Sequence, residues 1–227
     1  MNSRKIIILA SIVFLVAVVG VVYVISRPSP ALLIPQPQTA TSTEAVFDKT
    51  IFAGVVTVSY QSAEWGVAAR PDQVLVTSYV PPCDEGFQYC LYYIGSKYKG
   101  TNFESAGIRI QERKDLRSDA SCLTAQPPGY TGLTPQVAST STYSVSAFVP
   151  LGDAGAGHYA QGALYRLAFS GRCYEFETRI GELQFQNYPA GTIQEFTSAD
   201  RTELLDTFDL ILSKITLASG EHVVFPR

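Results

Sequence analysis

Ile6 to Ile25 forms an uncharged, apolar run of 20 residues directly behind Arg4 and Lys5. Buried helically, such a run spans roughly 30 Å at about 1.5 Å per residue, the thickness of a bilayer's hydrocarbon core. A cleaved signal peptide begins in the same way, but its apolar region is usually about 7 to 15 residues and ends in a small-x-small site. This run is longer and exits through Tyr23, Val24, Ile25, Ser26 and Arg27. The reading is therefore an uncleaved single-pass anchor: a cytoplasmic N-terminus over residues 1–5 and a transmembrane helix over 6–25. The basic flank places residues 28–227 on the extracytoplasmic side of the cell membrane.

Residues 26–45 contain Pro28, Pro30, Pro35 and Pro37 followed by a Thr/Ser/Ala stretch. Proline fixes φ and removes a backbone donor, so this segment continues neither a membrane helix nor a sheet interior. It reads as a stalk. Residues 46–227 have no further proline-rich or charged break and fit one domain of ordinary size. With Arg4, Lys5 and Arg27 set aside, 14 basic residues face 20 acids, a net charge near −6. That balance argues against nucleic acid as a partner; the anchor supplies the membrane, and the stalk, the cysteines and the aromatic residues of the domain point to an envelope protein or polymer.

All four cysteines, Cys83, Cys90, Cys122 and Cys173, fall on the oxidising side, and none forms a CxxC. Structural disulfides are the expectation, and metal and cofactor sites are not. Three connectivities exist. The turn-rich PPCDEGFQYC loop favours Cys83 with Cys90, leaving Cys122 with Cys173. Loop-closure entropy assigns about 2.5 kcal/mol to the shorter loop and about 4 kcal/mol to the longer.

The domain's periodicity is mainly that of strands. Phe52–Tyr60, Val74–Val80, Tyr89–Ile94, Ala106–Glu112 and Tyr143–Val149 are β-branched, aromatic or alternating. In Ala106–Glu112, Ile108 and Ile110 share one face, and Arg109 and Gln111 the other. Residues 117–123 suit a short helix before the PPGYTGLTP loop. The clearest unit is a hairpin over Ala163–Ile180, turning at Ser170–Gly171. That turn pairs Leu167 with Tyr174 and Tyr165 with Phe176 on a core face, and Arg166 with Glu175 and Ala168 with Cys173 on a polar one. Arg166 opposite Glu175 makes an ion pair a better account of the Glu175/Glu177 pair than a carboxylate active site. Cys122 must cross the polar face to reach Cys173, pinning Pro127–Pro135 over the sheet.

Arg201–Lys214 reads as a helix whose stripe of Leu204, Leu205, Phe208, Ile211, Leu212 and Ile215 covers the sheet. Asp200 with Glu203 has capping-box spacing, and Lys214 suits the helix C-terminus. The fold class is thus α+β: a single domain dominated by an antiparallel sheet, with a C-terminal packing helix.

Four blocks, PPCDEGFQYCLYY (Pro81–Tyr93), GTNFESAG (Gly100–Gly107), AGHY (Ala156–Tyr159) and GRCYEF (Gly171–Phe176), resemble segments of uncharacterised, membrane-anchored bacterial exported proteins. The resemblance spans most of residues 75–180 and implies no activity. The CYEF strand followed by a helix ending DLILSKITL is similar to PsbP-like extrinsic domains. For the last third of the chain it implies an antiparallel α+β fold and an assembly or accessory role.

No catalytic constellation stands out. Gly155, Gly157 and Ala160 match GxGxxA, but strand-like sequence follows where a dinucleotide site needs a helix. No GxSxG elbow accompanies His158, which lies near Asp153 in sequence. Two functions follow: a tethered, non-enzymatic binding or accessory module presenting Tyr92, Tyr93, Tyr98 and Phe103, or an envelope hydrolase using His158 with an acid.

Overall fold

The computed structural model describes residues 45–51, 56–68 and 87–226, all within a compact unit, Ser42–Arg227. The run read as a transmembrane helix, the segment read as a stalk up to Glu44, the strand expected over Val74–Val80 and Cys83 lie outside the described residues. Among those described, no helix is long and apolar enough to cross a membrane.

The described fold is α+β-like, dominated by antiparallel sheet with few helices. Strands β1 (Ala45–Ile51), β2 (Val56–Ser62) and β10 (Ile215–Leu217) form a small sheet in the order β1-β2-β10. The large sheet has seven strands: β3 (Trp65–Ala68), β4 (Tyr89–Tyr93), β5 (Phe103–Glu112), β6 (Gln136–Ser139), β7 (Ser144–Gly155), β8 (His158–Phe169) and β9 (Arg172–Leu183). Their order is β3-β4-β5-β9-β8-β7-β6, and every neighbouring pair is antiparallel. Helix α1 (Asp119–Thr124) precedes β6, and helix α2 (Ser198–Leu212) precedes β10.

The centre is a meander of three 12-residue strands, β7 to β9, joined by two-residue turns. At Ser170–Gly171 both central φ angles are positive, 52° and 69°, as a type I′ turn requires. Its register gives Leu167 opposite Tyr174, Tyr165 opposite Phe176, Arg166 opposite Glu175 and Ala168 opposite Cys173, the four expected pairs. Gly155 and Gly157 of the GxGxxA stretch belong to the β7–β8 hairpin, and Ala160 follows within β8, so strand flanks the motif on both sides.

One face of the large sheet presents Ile108, Ile110, Tyr165, Leu167, Tyr174 and Phe176. Against it pack Leu204, Phe208, Ile211 and Leu212 of α2, with Val56, Val58, Ile215 and Leu217 from the small sheet. Each such side chain contributes about 1.5 to 3 kcal/mol when removed from water. The helix departs from expectation in three places. It starts at Ser198, and its capping box joins Thr197 to Asp200: the Thr197 hydroxyl accepts from Asp200 N at 3.2 Å, and the Asp200 carboxylate accepts from Thr197 N at 2.8 Å. Leu205, a 100° step beyond Leu204, remains 40% exposed. Ile215 belongs to β10 and Lys214 lies past the helix end, because the chain turns at Ser213 into a strand.

Of the expected strand Phe52–Tyr60, Val56–Tyr60 lies in β2, which continues to Ser62, and residues 52–55 lie outside the described residues. Strand β7 runs six residues beyond the predicted Val149. The second face of the large sheet is polar, as expected, but much of it is covered. Arg166 and Glu175 are fully buried beneath α1 and the loop after it. Cys122 of α1 is bonded to Cys173 across this face, and Tyr130 and Leu133 pack on Phe148, Leu151 and Leu164. Cys90 is also disulfide-bonded.

Candidate ligand cleft

Side chains on the second face form rows across the strands. One row is Gln111, Glu175, Arg166 and Ser146; the next is Arg109, Glu177, Leu164 and Phe148. Below them Arg179 stands between Gly107 on β5 and Gly162 on β8, and the following row is Ser105, Gly181, Ala160 and Asp153. Glycine and alanine thus strip the sheet of bulk around Arg179. Gly162 is required by contact as well: a Cβ there would lie 1.8 Å from the Thr178 carbonyl oxygen.

The depression becomes a cleft of about 350 Å³ because loops rise on two sides. Pro127, Pro128 and Tyr130 form one wall and Phe87 another, with Arg109, Glu177, Arg179, Gln161 and Asp153 supplying polar groups. Tyr130 is fixed by donating its hydroxyl to Gly152 O at 3.1 Å. Burial raises its phenol pKa, Asp153 and Glu177 reinforce the shift, and Arg179 opposes it, so the wall is a neutral ring at ordinary pH.

The upper floor is already neutralised. Glu175 accepts from Arg166 Nε at 2.7 Å, from Arg113 Nη1 at 3.0 Å and from Gln111 Nε2 at 2.5 Å. Arg109 is 3% exposed, lies 3.7 Å from Glu177 and stacks 5.1 Å from the Phe87 ring. Arg179 is half-buried and has no ion-pair or hydrogen-bond partner among the described residues.

The tyrosines read from sequence as a presenting surface are placed differently. Tyr93, Tyr98 and Phe103 meet with ring centroids 5.1 to 5.7 Å apart, and Tyr98 and Phe103 also meet Phe196. Tyr98 is 4% exposed, and burial, assisted by the nearby Glu203 charge, raises its pKa. These rings pack against the main core. Tyr92 lies opposite Gly66 on the neighbouring strand, half-buried, with its ring filling the space a Cβ at Gly66 would need.

His158 sits two positions before Ala160, and its acid is Glu104 rather than Asp153: Nδ1 is 2.9 Å from the Glu104 carboxylate. Asp153 instead lines the cleft. Among the described residues no three His, Cys, Asp or Glu side chains converge on a metal position. Sequence reasoning missed Arg179 and the glycines around it; the available signal was the small residues Gly107, Ala160, Gly162 and Gly181 on three strands.

No protein-family model matches the chain, and no curated protein is detectably similar to it.

Proposed function

We propose that this protein is a membrane-tethered binding or accessory module, non-enzymatic, whose domain works on the extracytoplasmic side and takes its ligand in the Arg179 cleft. The observation that carries the reading is the cleft itself: a concavity walled by Phe87, Pro127, Pro128 and Tyr130 on which as many polar and charged side chains converge, among them Arg109, Glu177 and Arg179, a make-up suited to a small polar ligand. The tether rests on the Ile6–Ile25 run and its basic flank. Protease added to spheroplasts should digest the domain, and the undigested chain should fractionate with membranes. Protection of the whole chain would overturn the orientation, and a soluble form starting near Ser26 would overturn the anchor.

Ala160 tests the cleft itself, since it is half-buried on the floor and lines the cavity. Ala160→Trp should fill the space while leaving the core face untouched. In ligand-observed NMR with envelope fragments and a general fragment set, the full chain should give binders whose signals vanish with this variant. Binders indifferent to Ala160→Trp would refute the site.

A second reading has the Glu104–His158 contact behind it: a hydrolase in which Glu104 orients His158 as a base. In the same samples it requires binders to be converted to products over time, by the parent chain and not by His158→Ala.

A further inference from the structure

The charge arrangement of the cleft restricts what it can hold. Glu175 and Asp115 together match Arg166 and Arg113, Arg113 bridging the two carboxylates, and Arg109 faces Glu177. Arg179 remains, with Gly107 and Gly162 opposite it and no acceptor paired to it among the described residues. Its guanidinium offers a planar fork that suits a carboxylate bidentately. Asp153 and Glu177 line the same space and would repel a dianion such as phosphate more than a single negative charge. Asp153 is exposed and acceptor-only, so it favours a ligand that also brings a hydroxyl or ammonium donor.

Resting on the reading of this cleft as a binding site, we infer that its ligand is a monocarboxylate bearing nearby hydroxyl or amine donors, with the carboxylate on Arg179 and a donor group toward Asp153. Tyr130 and Phe87 supply ring faces for the ligand's body. Two sources share this chemistry, a sugar acid and the C-terminal end of a short peptide.

Isothermal titration of the full chain in detergent micelles, with D-glucuronate and L-alanyl-L-alanine as probes, separates the two sources. Glucuronate methyl ester, glucose and inorganic phosphate serve as controls. One of the acids should bind, and Arg179→Gln should weaken it about ten- to a hundredfold, the worth of charge-assisted hydrogen bonds. Arg179→Lys should fall between, keeping the charge and losing the fork. Unaltered thermal unfolding of both variants would confirm that the fold is intact, as expected for an unpaired side chain. The inference is overturned if neither acid binds, if the ester binds as well as the acid, if phosphate binds more tightly, or if Arg179→Gln titrates like the parent. Neutral binders that Ala160→Trp abolishes would leave the cleft reading standing while removing the carboxylate. Binders that Ala160→Trp does not affect would remove both.

Discussion

Glu175→Leu should destabilise the domain by about 3 to 5 kcal/mol, the cost of leaving a buried ionic partner uncompensated. The side chain is 2% exposed and accepts from Arg166, Arg113 and Gln111 at 2.5 to 3.0 Å. Arg166 is 0% exposed, and its other anchors are the carbonyl oxygens of Cys122 and Ala125 and the ring of Phe148. Without Glu175 that guanidinium keeps neutral acceptors only. Removing both charges changes the balance: Glu175→Leu with Arg166→Met should recover most of the loss, because well-packed apolar replacements avoid the desolvation cost. Urea denaturation of the two single variants and the double variant measures the coupling. Losses that simply add would show that the pair is not the unit described.

The central hairpin was legible because two independent signals agree there. Ser170–Gly171 has turn chemistry, and the strands on either side alternate, so a single register satisfies both. The short strands β3 and β6, four residues each, give too little alternation to detect. The capping box was displaced by one turn because Asp200–Glu203 repeats the spacing of Thr197–Asp200, and local spacing does not say where the backbone leaves the helix. Aromatic strands were ambiguous for a different reason. Tyr92 and Tyr93 are adjacent, so they point to opposite faces of β4, and Tyr93 is the one that reaches Trp65, Tyr98 and Phe103.

The candidate site was harder to read, since its floor depends on what is missing. Gly107, Gly162 and Gly181 meet around Arg179 only after β5, β8 and β9 pair, and the walls, Phe87 and Pro127 to Tyr130, come from segments far away in the chain. Periodicity placed Arg109 and Gln111 on a polar face. It carries no information about which polar residues a loop will cover, and α1 with the following loop buries Arg166 and Glu175 while leaving Arg179 half open.

Replacing Cys122 and Cys173 together by alanine should cost about 4 kcal/mol from loop-closure entropy alone, because the bond joins residues 51 apart. The structure makes the effect more than entropic. Cys122 lies in α1, the helix whose end supplies the carbonyls of Cys122 and Ala125 to Arg166, and the cleft wall at Pro127 and Tyr130 follows within eight residues. Without the bond, the acceptors of Arg166 and the wall are held by packing of Leu123, Tyr130 and Leu133, by the Tyr130 hydroxyl on Gly152 O and by Gln126 on the Leu133 backbone. The disulfide variant and Glu175→Leu should therefore be non-additive, each weakening what the other relies on. Ligand affinity in the cleft should fall in the disulfide variant even at temperatures where the core remains folded. Non-reducing peptide mapping checks the premise, since a peptide joining Cys90 to Cys122 or to Cys173 would break the link between bond, helix and wall. A variant that loses stability while binding the cleft ligand as tightly as the parent would show the wall to be set by the sheet rather than by the covalent strap above it.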